Sequence, residues 1–187
     1  MTYKTVIFDL DGTLCDISHR LHHIEGNNKN WNAFYKDCPK DEPKPQIIEL
    51  AKLCHYNDYR VIISSGRSEA VRAETIEWLF ENDVLYDELH MRPDNCCVKD
   101  TALKKAWLDQ GVFGPLGEIM FVVEDRDTMV QMWRGAGLTC LQVEQWVEEG
   151  EVSFPLRKIE LARDMAKFIS STAQDTRFNE WRKGQVK

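Results

Sequence analysis

Two carboxylates one residue apart, Asp9 and Asp11, stand directly after the apolar run Val6-Ile7-Phe8, with Gly12 next in line. Crowding such groups at a strand end is costly without a cation, and magnesium takes hard oxygen ligands of this kind. With a metal in place, Asp9 can stay ionised and attack phosphorus, making an aspartyl-phosphate. Asp11 can protonate the leaving oxygen and then help to deprotonate the attacking water. Gly12 lets the backbone turn sharply. An isolated pair at this spacing is more commonly a turn cap; its place after a β-run near the N-terminus favours the chemical reading.

Other polar groups follow other apolar runs. Ser65, Gly66 and Arg67 come after Arg60–Ser64, and Glu124 and Asp125 come after Ile119–Val123. In an open α/β sheet such strand ends share one edge, where ligands bind. Residues far apart in the chain then converge on one cleft, and the acidic ones, Asp9, Asp11, Glu124 and Asp125, are its candidate metal ligands.

The elements that must position them read as an alternation. Strands are expected at Tyr3–Asp9, Arg60–Ser64, Glu88–Met91, Ile119–Val123 and Leu138–Val143, from their β-branched and apolar runs. Helical spacing covers Gln46–His55, Glu69–Glu81, Asp100–Leu108 and about Thr128–Gly135. This order predicts an α/β fold, a doubly wound parallel sheet covered on both faces. The polar segment at about 16–45 reads as a small, cap-like helical insertion after the first strand, with short helices at His19–Ile24 and Trp31–Lys36. An amphipathic helix is expected at about 156–170. The whole chain, 1–187, reads as one phosphatase domain with these additions.

Phe8 to Leu14, FDLDGTL, resembles the first motif of the haloacid dehalogenase superfamily, and the second aspartate resembles its phosphotransferase branch. The resemblance implies a doubly wound Rossmann-like sheet, a Mg2+ cofactor and roles for three further motifs. Ser65 matches the hydroxyl that donates to a phosphoryl oxygen; as an isolated residue it would read as a helix cap. Lys104, rather than Lys99 or Lys105, matches the lysine beside the nucleophile. Glu124-Asp125 matches the acidic motif, with Asp125 the ligand and Glu124 a direct or water-mediated one.

A closer resemblance is to the 3′-phosphatase domain of phage-type polynucleotide kinase-phosphatases. It rests on Ser65-Gly66-Arg67-Ser68-Glu69, Met91-Arg92, Glu124-Asp125-Arg126, Val130-Gln131-Met132-Trp133-Arg134 and Gly137 to Val143, between Thr5 and Val143. It implies a phosphoric monoester hydrolase acting on a phosphorylated nucleotide or nucleic-acid 3′ end, with a place in nucleic-acid repair. Gly66, Arg67, Arg92 and Arg126 are then candidates to bind substrate phosphate or support the site; each of the three arginines reads equally well as an ordinary surface or ion-pair arginine. No G-x-x-x-x-G-K-[ST] loop is present, so kinase activity is not expected of this sequence, and a separate kinase partner is left open.

Composition narrows the classes. A formal net charge of -7 argues against sequence-independent binding to long nucleic acid, which needs a basic surface. It leaves open a phosphatase of free nucleotides or other small phosphomonoesters, and a catalytically inactive binding module. The six cysteines lack zinc-finger spacing and read as free thiols of a cytoplasmic protein. No apolar run is long enough to span a membrane. His19, His22 and His23 share a helical face but lack a partner to complete a second metal site. Trp31, Phe34 and Tyr35 read first as a small cap core, and second as a surface for stacking on a nucleobase.

Overall fold

Val6, Ile7 and Phe8 are all fully buried, which only a strand covered on both faces achieves. They form β1, Thr5–Phe8, the centre of a five-stranded sheet. The computed structural model describes residues 4–144, all within the unit Met1–Trp146; the helix expected over 156–170 lies outside the described residues. The other sheet strands are β4, Arg60–Ser68, β5, Glu88–Arg92, β6, Ile119–Glu124, and β7, Cys140–Gln142. Their spatial order is β5-β4-β1-β6-β7, and every neighbouring pair is parallel.

This order makes β1 the switch point. The chain leaves β1 to build one flank through β4 and β5, then returns to its other side for β6 and β7. A crevice opens at the carboxyl ends of strands on either side of such a point. The register sets what stands there: Phe8 lies opposite Ile63 on one side and Val123 on the other. Asp9 is therefore level with the start of the Ser64-Ser65 pair and with Glu124, and its N–H still donates to the Val123 carbonyl at 2.9 Å.

Helices cover the sheet as the alternation predicts: α2, Pro45–Tyr56, α3, Arg72–Glu81, α4, Asp100–Asp109, and α5, Asp127–Gly135. Pro45 opens α2, where its missing N–H costs nothing. On α5, Met129, Val130 and Trp133 line one stripe and pack with Ile7, Ile62, Val122 and Phe113 in the main core. On α4 the buried stripe is Leu103, Lys104 and Leu108, so an ammonium is carried into the interior on an apolar face.

Between β1 and α2 lies a small folded segment. It holds a 3₁₀ turn at Ser18–His23, the helix α1, Trp31–Lys36, and a second 3₁₀ turn at Cys38–Lys40. A two-residue antiparallel ladder closes it, β2, Cys15–Asp16, against β3, Glu42–Pro43. The short helix expected at His19–Ile24 is this first 3₁₀ turn. Lys44 ties the segment down, its N–H to the Leu14 carbonyl at 2.8 Å and its Nζ to the Gly12 carbonyl at 2.7 Å. Trp78 of α3 adds a bond from Nε1 to the Asp41 carbonyl at 2.8 Å.

Candidate active site

Asp9 leaves β1 with its carboxylate buried. Lys104 of α4 meets it from below, Nζ to Oδ1 at 2.5 Å, and also reaches Glu124 Oε2 at 3.4 Å. Burial works against the Lys104 charge, but Asp9, Glu124 and Asp100 outweigh it and hold the ammonium charged. Asp9 is pushed up to about 7, first by burial and then by Glu124, against the pull of Lys104. Glu124 is likewise raised to about 7, chiefly by burial, with Asp125 adding to it against Lys104.

One oxygen from each of Asp9, Glu124 and Asp125 lies within 4.8 Å of the others, all three residues being buried. Three carboxylates face one ammonium, with the Arg126 guanidinium acting on them while it holds Asp100. The donors of the cluster are hard oxygens only, the chemistry of a magnesium site. The residues present fit that ion. Gly12 and Thr13 fix one edge: the Thr13 hydroxyl donates to Asp125 Oδ1, and Gly12 turns at φ +88 where a Cβ would strike the Asp125 carboxylate.

The Asp11 side chain lies outside this group. Arg20 donates to its Oδ1 at 2.8 Å and Arg67 donates to the same oxygen at 2.7 Å. Burial by itself would raise Asp11; Arg67 and Arg20 overcome it and bring the group down to about 2. The same two guanidiniums grip Asp41 at 2.5–2.6 Å, and His19 reaches Asp41 at 2.9 Å. Asp11, Cys15 and Asp41 also come close enough together to share an ion. Two buried arginines already neutralise those two carboxylates, and burial pushes the Cys15 thiol well up, so this second group is an ion-pair network.

Ser65 is fully buried, and its Oγ accepts the Arg67 N–H at 3.1 Å, which leaves the hydroxyl proton available to donate. The Gly66 carbonyl accepts from Arg92 Nε at 3.0 Å and from the Tyr35 hydroxyl at 3.3 Å. Arg92 continues to Asp100 Oδ1 at 3.2 Å, and Arg126 holds the other Asp100 oxygen. Burial raises Asp100, but Lys104, Arg126 and Arg92 together carry it below the usual carboxylate range.

The sequence-predicted residues thus fall into three places. Asp9, Lys104, Glu124 and Asp125 form the centre. Ser65, Gly66, Arg92 and Arg126 surround it. Asp11 and Arg67 meet in the ion-pair network, where the Arg67 guanidinium, at 0% exposure, is wholly engaged by protein groups. Of the competing lysines, Lys99 is exposed and Lys105 pairs with Asp109 at 2.6 Å. His23 pairs with Asp37 at 2.8 Å and its ring stacks with His22, so the histidines are spent on carboxylates and each other. Arg20, Asp41 and Asp100 were missed; the only sequence signal was that charged residues recur in a short polar segment and at a helix start.

The family model for the polynucleotide kinase PNKP phosphatase domain matches residues 3–146. A chain in the Pnkp1/Rnl/Hen1 RNA repair complex is 30% identical with a TM-score of 0.63, over 77% of this chain and 43% of its own length. A second structure of that complex gives 29% identity and a TM-score of 0.65, over 79% of this chain and 48% of the other. This chain therefore spans less than half the length of those chains. A hydrolase from Streptococcus pneumoniae TIGR4 shares the fold at 14% identity and a TM-score of 0.51, over 86% of this chain and 99% of its own.

Proposed function

The chain belongs to the PNKP phosphatase-domain family of haloacid dehalogenase-like hydrolases, and on that premise we propose that it removes 3′-phosphates from nucleic-acid ends or nucleotides through a phospho-aspartate on Asp9. It is a phosphoric monoester hydrolase. The observation that carries the mechanism is the Asp9–Lys104–Glu124–Asp125 cluster at the switch point of the sheet.

An Asp9 oxygen attacks phosphorus as the bond to the 3′ oxygen breaks. Asp9, Glu124 and Asp125 would hold Mg2+, which would supply charge neutralisation for the phosphoryl group. Lys104 compensates the charge on Asp9, and the Ser65 hydroxyl donates to a phosphoryl oxygen. Arg92 and Arg126, joined through Asp100, frame the approach. Asp11 passes a proton to the leaving 3′ oxygen. It then takes one from the water that opens the aspartyl-phosphate, releasing inorganic phosphate. Its two arginines favour the ionised form, which suits the second step. For the first, a phosphate dianion arriving beside Asp11 must raise its proton affinity.

The net charge of -7 favours a second reading, in which free nucleotides or other small phosphomonoesters are the substrates. Relatives of the chain sit in the Pnkp1/Rnl/Hen1 RNA repair complex, which supports a repair setting in which other chains supply further steps, a kinase among them. Among the described residues no helix is long and apolar enough to cross a membrane.

The test is a substrate panel with magnesium or with chelator. It contains a 3′-phosphate oligonucleotide, nucleoside 3′- and 5′-monophosphates, and an aryl phosphate. Preference for the 3′-phosphates, abolished by chelator, is the expected result. Equal kcat/KM on the oligonucleotide and the aryl phosphate would remove the case for end specificity.

A further inference from the structure

Helix α1 places its three aromatic rings in three different surroundings. Phe34 is 4% exposed and lies under Arg20, whose guanidinium carbon sits 4.1 Å from the ring centroid. Phe34 is thus the core of this segment. Trp31 sets its ring edge-on to Phe34, centroids 5.6 Å apart, yet 45% of it stays exposed. Tyr35, one helical turn on, lies between the two extremes. Its ring centroid is 5.9 Å from that of Trp31, with the planes 30° apart.

This aromatic pair is fastened to the reaction centre on both sides. The Tyr35 hydroxyl donates to the Gly66 carbonyl, which also receives Arg92, and Arg92 leads to Asp100. On the other side Arg20 donates to the Phe34 carbonyl at 3.4 Å and to Asp11 at 2.8 Å. Burial raises the Tyr35 hydroxyl, and both Asp11 and Asp100 are close enough to add to that effect. A partly exposed indole is therefore held beside Gly66, next to Ser65, by two independent sets of bonds. An indole is a surface on which any base can stack, whatever its sequence.

We propose that Trp31, buttressed by Tyr35, is the stacking platform for the nucleobase that neighbours the scissile phosphate, and so a determinant of specificity for nucleotides over other phosphomonoesters. The proposal rests on the 3′-phosphatase reading above. It assigns Trp31 to substrate binding and to no proton transfer or bond-breaking step.

The test compares two 3′-phosphate oligonucleotides that differ only in whether the terminal sugar carries a base. In the wild-type chain, KM for the abasic end is expected to exceed KM for the base-bearing end by roughly tenfold, the scale of one base–aromatic stack. Trp31→Ala should bring this ratio toward one by raising KM for the base-bearing end, and Trp31→Phe should preserve most of it. A ratio near one in the wild type, or a ratio unmoved by Trp31→Ala, overturns the proposal. If the wild type hydrolyses an aryl phosphate but neither oligonucleotide, the 3′-phosphatase reading itself fails, and the proposal with it.

Discussion

The Thr13 hydroxyl donates a hydrogen bond to Asp125 Oδ1 at 3.2 Å, across 112 positions of sequence. This bond joins the turn after β1 to the acidic pair after β6, and the neighbouring Gly12 leaves no room between them. Gly12→Ala puts a side chain both into a left-handed backbone conformation and against the Asp125 carboxylate. Displacing a ligand of the reacting centre by an ångström costs about 100-fold, so kcat should fall by at least that much. Thr13→Val removes one hydrogen bond to a charged group, worth roughly 1.5–3 kcal/mol, and should weaken the apparent magnesium affinity without unfolding the protein. Kinetics across a magnesium titration, with thermal melts as the folding control, measure both. Unchanged kinetics in Gly12→Ala would mean that the position of Asp125 does not matter to turnover.

Asp9→Asn should abolish turnover of every substrate while the fold persists, since an amide cannot serve as the nucleophile. Asp11→Asn should discriminate by leaving group. An alkyl 3′ oxygen needs the proton that Asp11 supplies, whereas an aryl oxide leaves without it. The loss in phosphoenzyme formation should be large for the oligonucleotide and small for the aryl phosphate, as read by rapid quench with labelled substrate. Equal losses on both would take the acid role away from Asp11.

Metal-free protein should grow less stable as the pH rises from about 5 to 8. Asp9 and Glu124 titrate near 7 when folded and near about 4 when unfolded. The folded state therefore binds more protons across that window, and each deprotonation weakens it. Asp11 runs the other way. Its folded value of about 2 means that its stabilising ion pairs are complete above about pH 4 and are lost as the pH falls toward 2. The melting temperature in chelator should thus peak near pH 4–5, roughly where the two effects cross. Magnesium at 100-fold over its dissociation constant should add about 2.7 kcal/mol, and one fixed magnesium concentration should add more at pH 8 than at pH 5, where protons compete for the ligands. A flat melting profile from pH 5 to 8 in chelator would contradict this coupling.

The two serines at the end of β4 should separate cleanly. Among the described residues the buried Ser64 hydroxyl has no hydrogen-bond partner, so Ser64→Ala removes a cost of roughly 1 kcal/mol and should hold or raise the melting temperature with activity kept. Ser65→Ala removes the proposed donor to phosphate and should lower kcat by about 100-fold. Reversed effects would transfer the role to Ser64.

The sheet was legible because its signals are local. An apolar run such as Val6-Ile7-Phe8 declares a strand, alternation with helices declares it parallel, and a parallel sheet gathers its strand ends. That reasoning reached Asp9, Ser65, Glu124 and Asp125 from chain order alone. Resemblance was needed to choose Lys104, because a lysine on a helix carries no local mark of being buried. Arg20 and Asp41 could not be read from pattern. They lie 21 residues apart in an aperiodic segment, and only the folded chain closes them onto Asp11. Asp100 stands in the first turn of α4, where an acid is favoured on any helix, so nothing in the pattern marks it as the link between Arg92 and Arg126. The continuation of β4 to Ser68 also escaped, since Gly66 and a break in register between Ser64 and Ser68 disguise it.

The segment between β1 and α2 is moored to the sheet by Lys44, by Tyr35 and by the doubled arginine grip on Asp11 and Asp41. These moorings run to the backbone of Gly12 and Gly66 and to a buried carboxylate, so swinging the segment outward would strand charge in a dry interior. A catalytic cycle that swings this segment aside is accordingly disfavoured. Selection among phosphate esters should then fall to the side chains that the tethered segment presents, not to its movement.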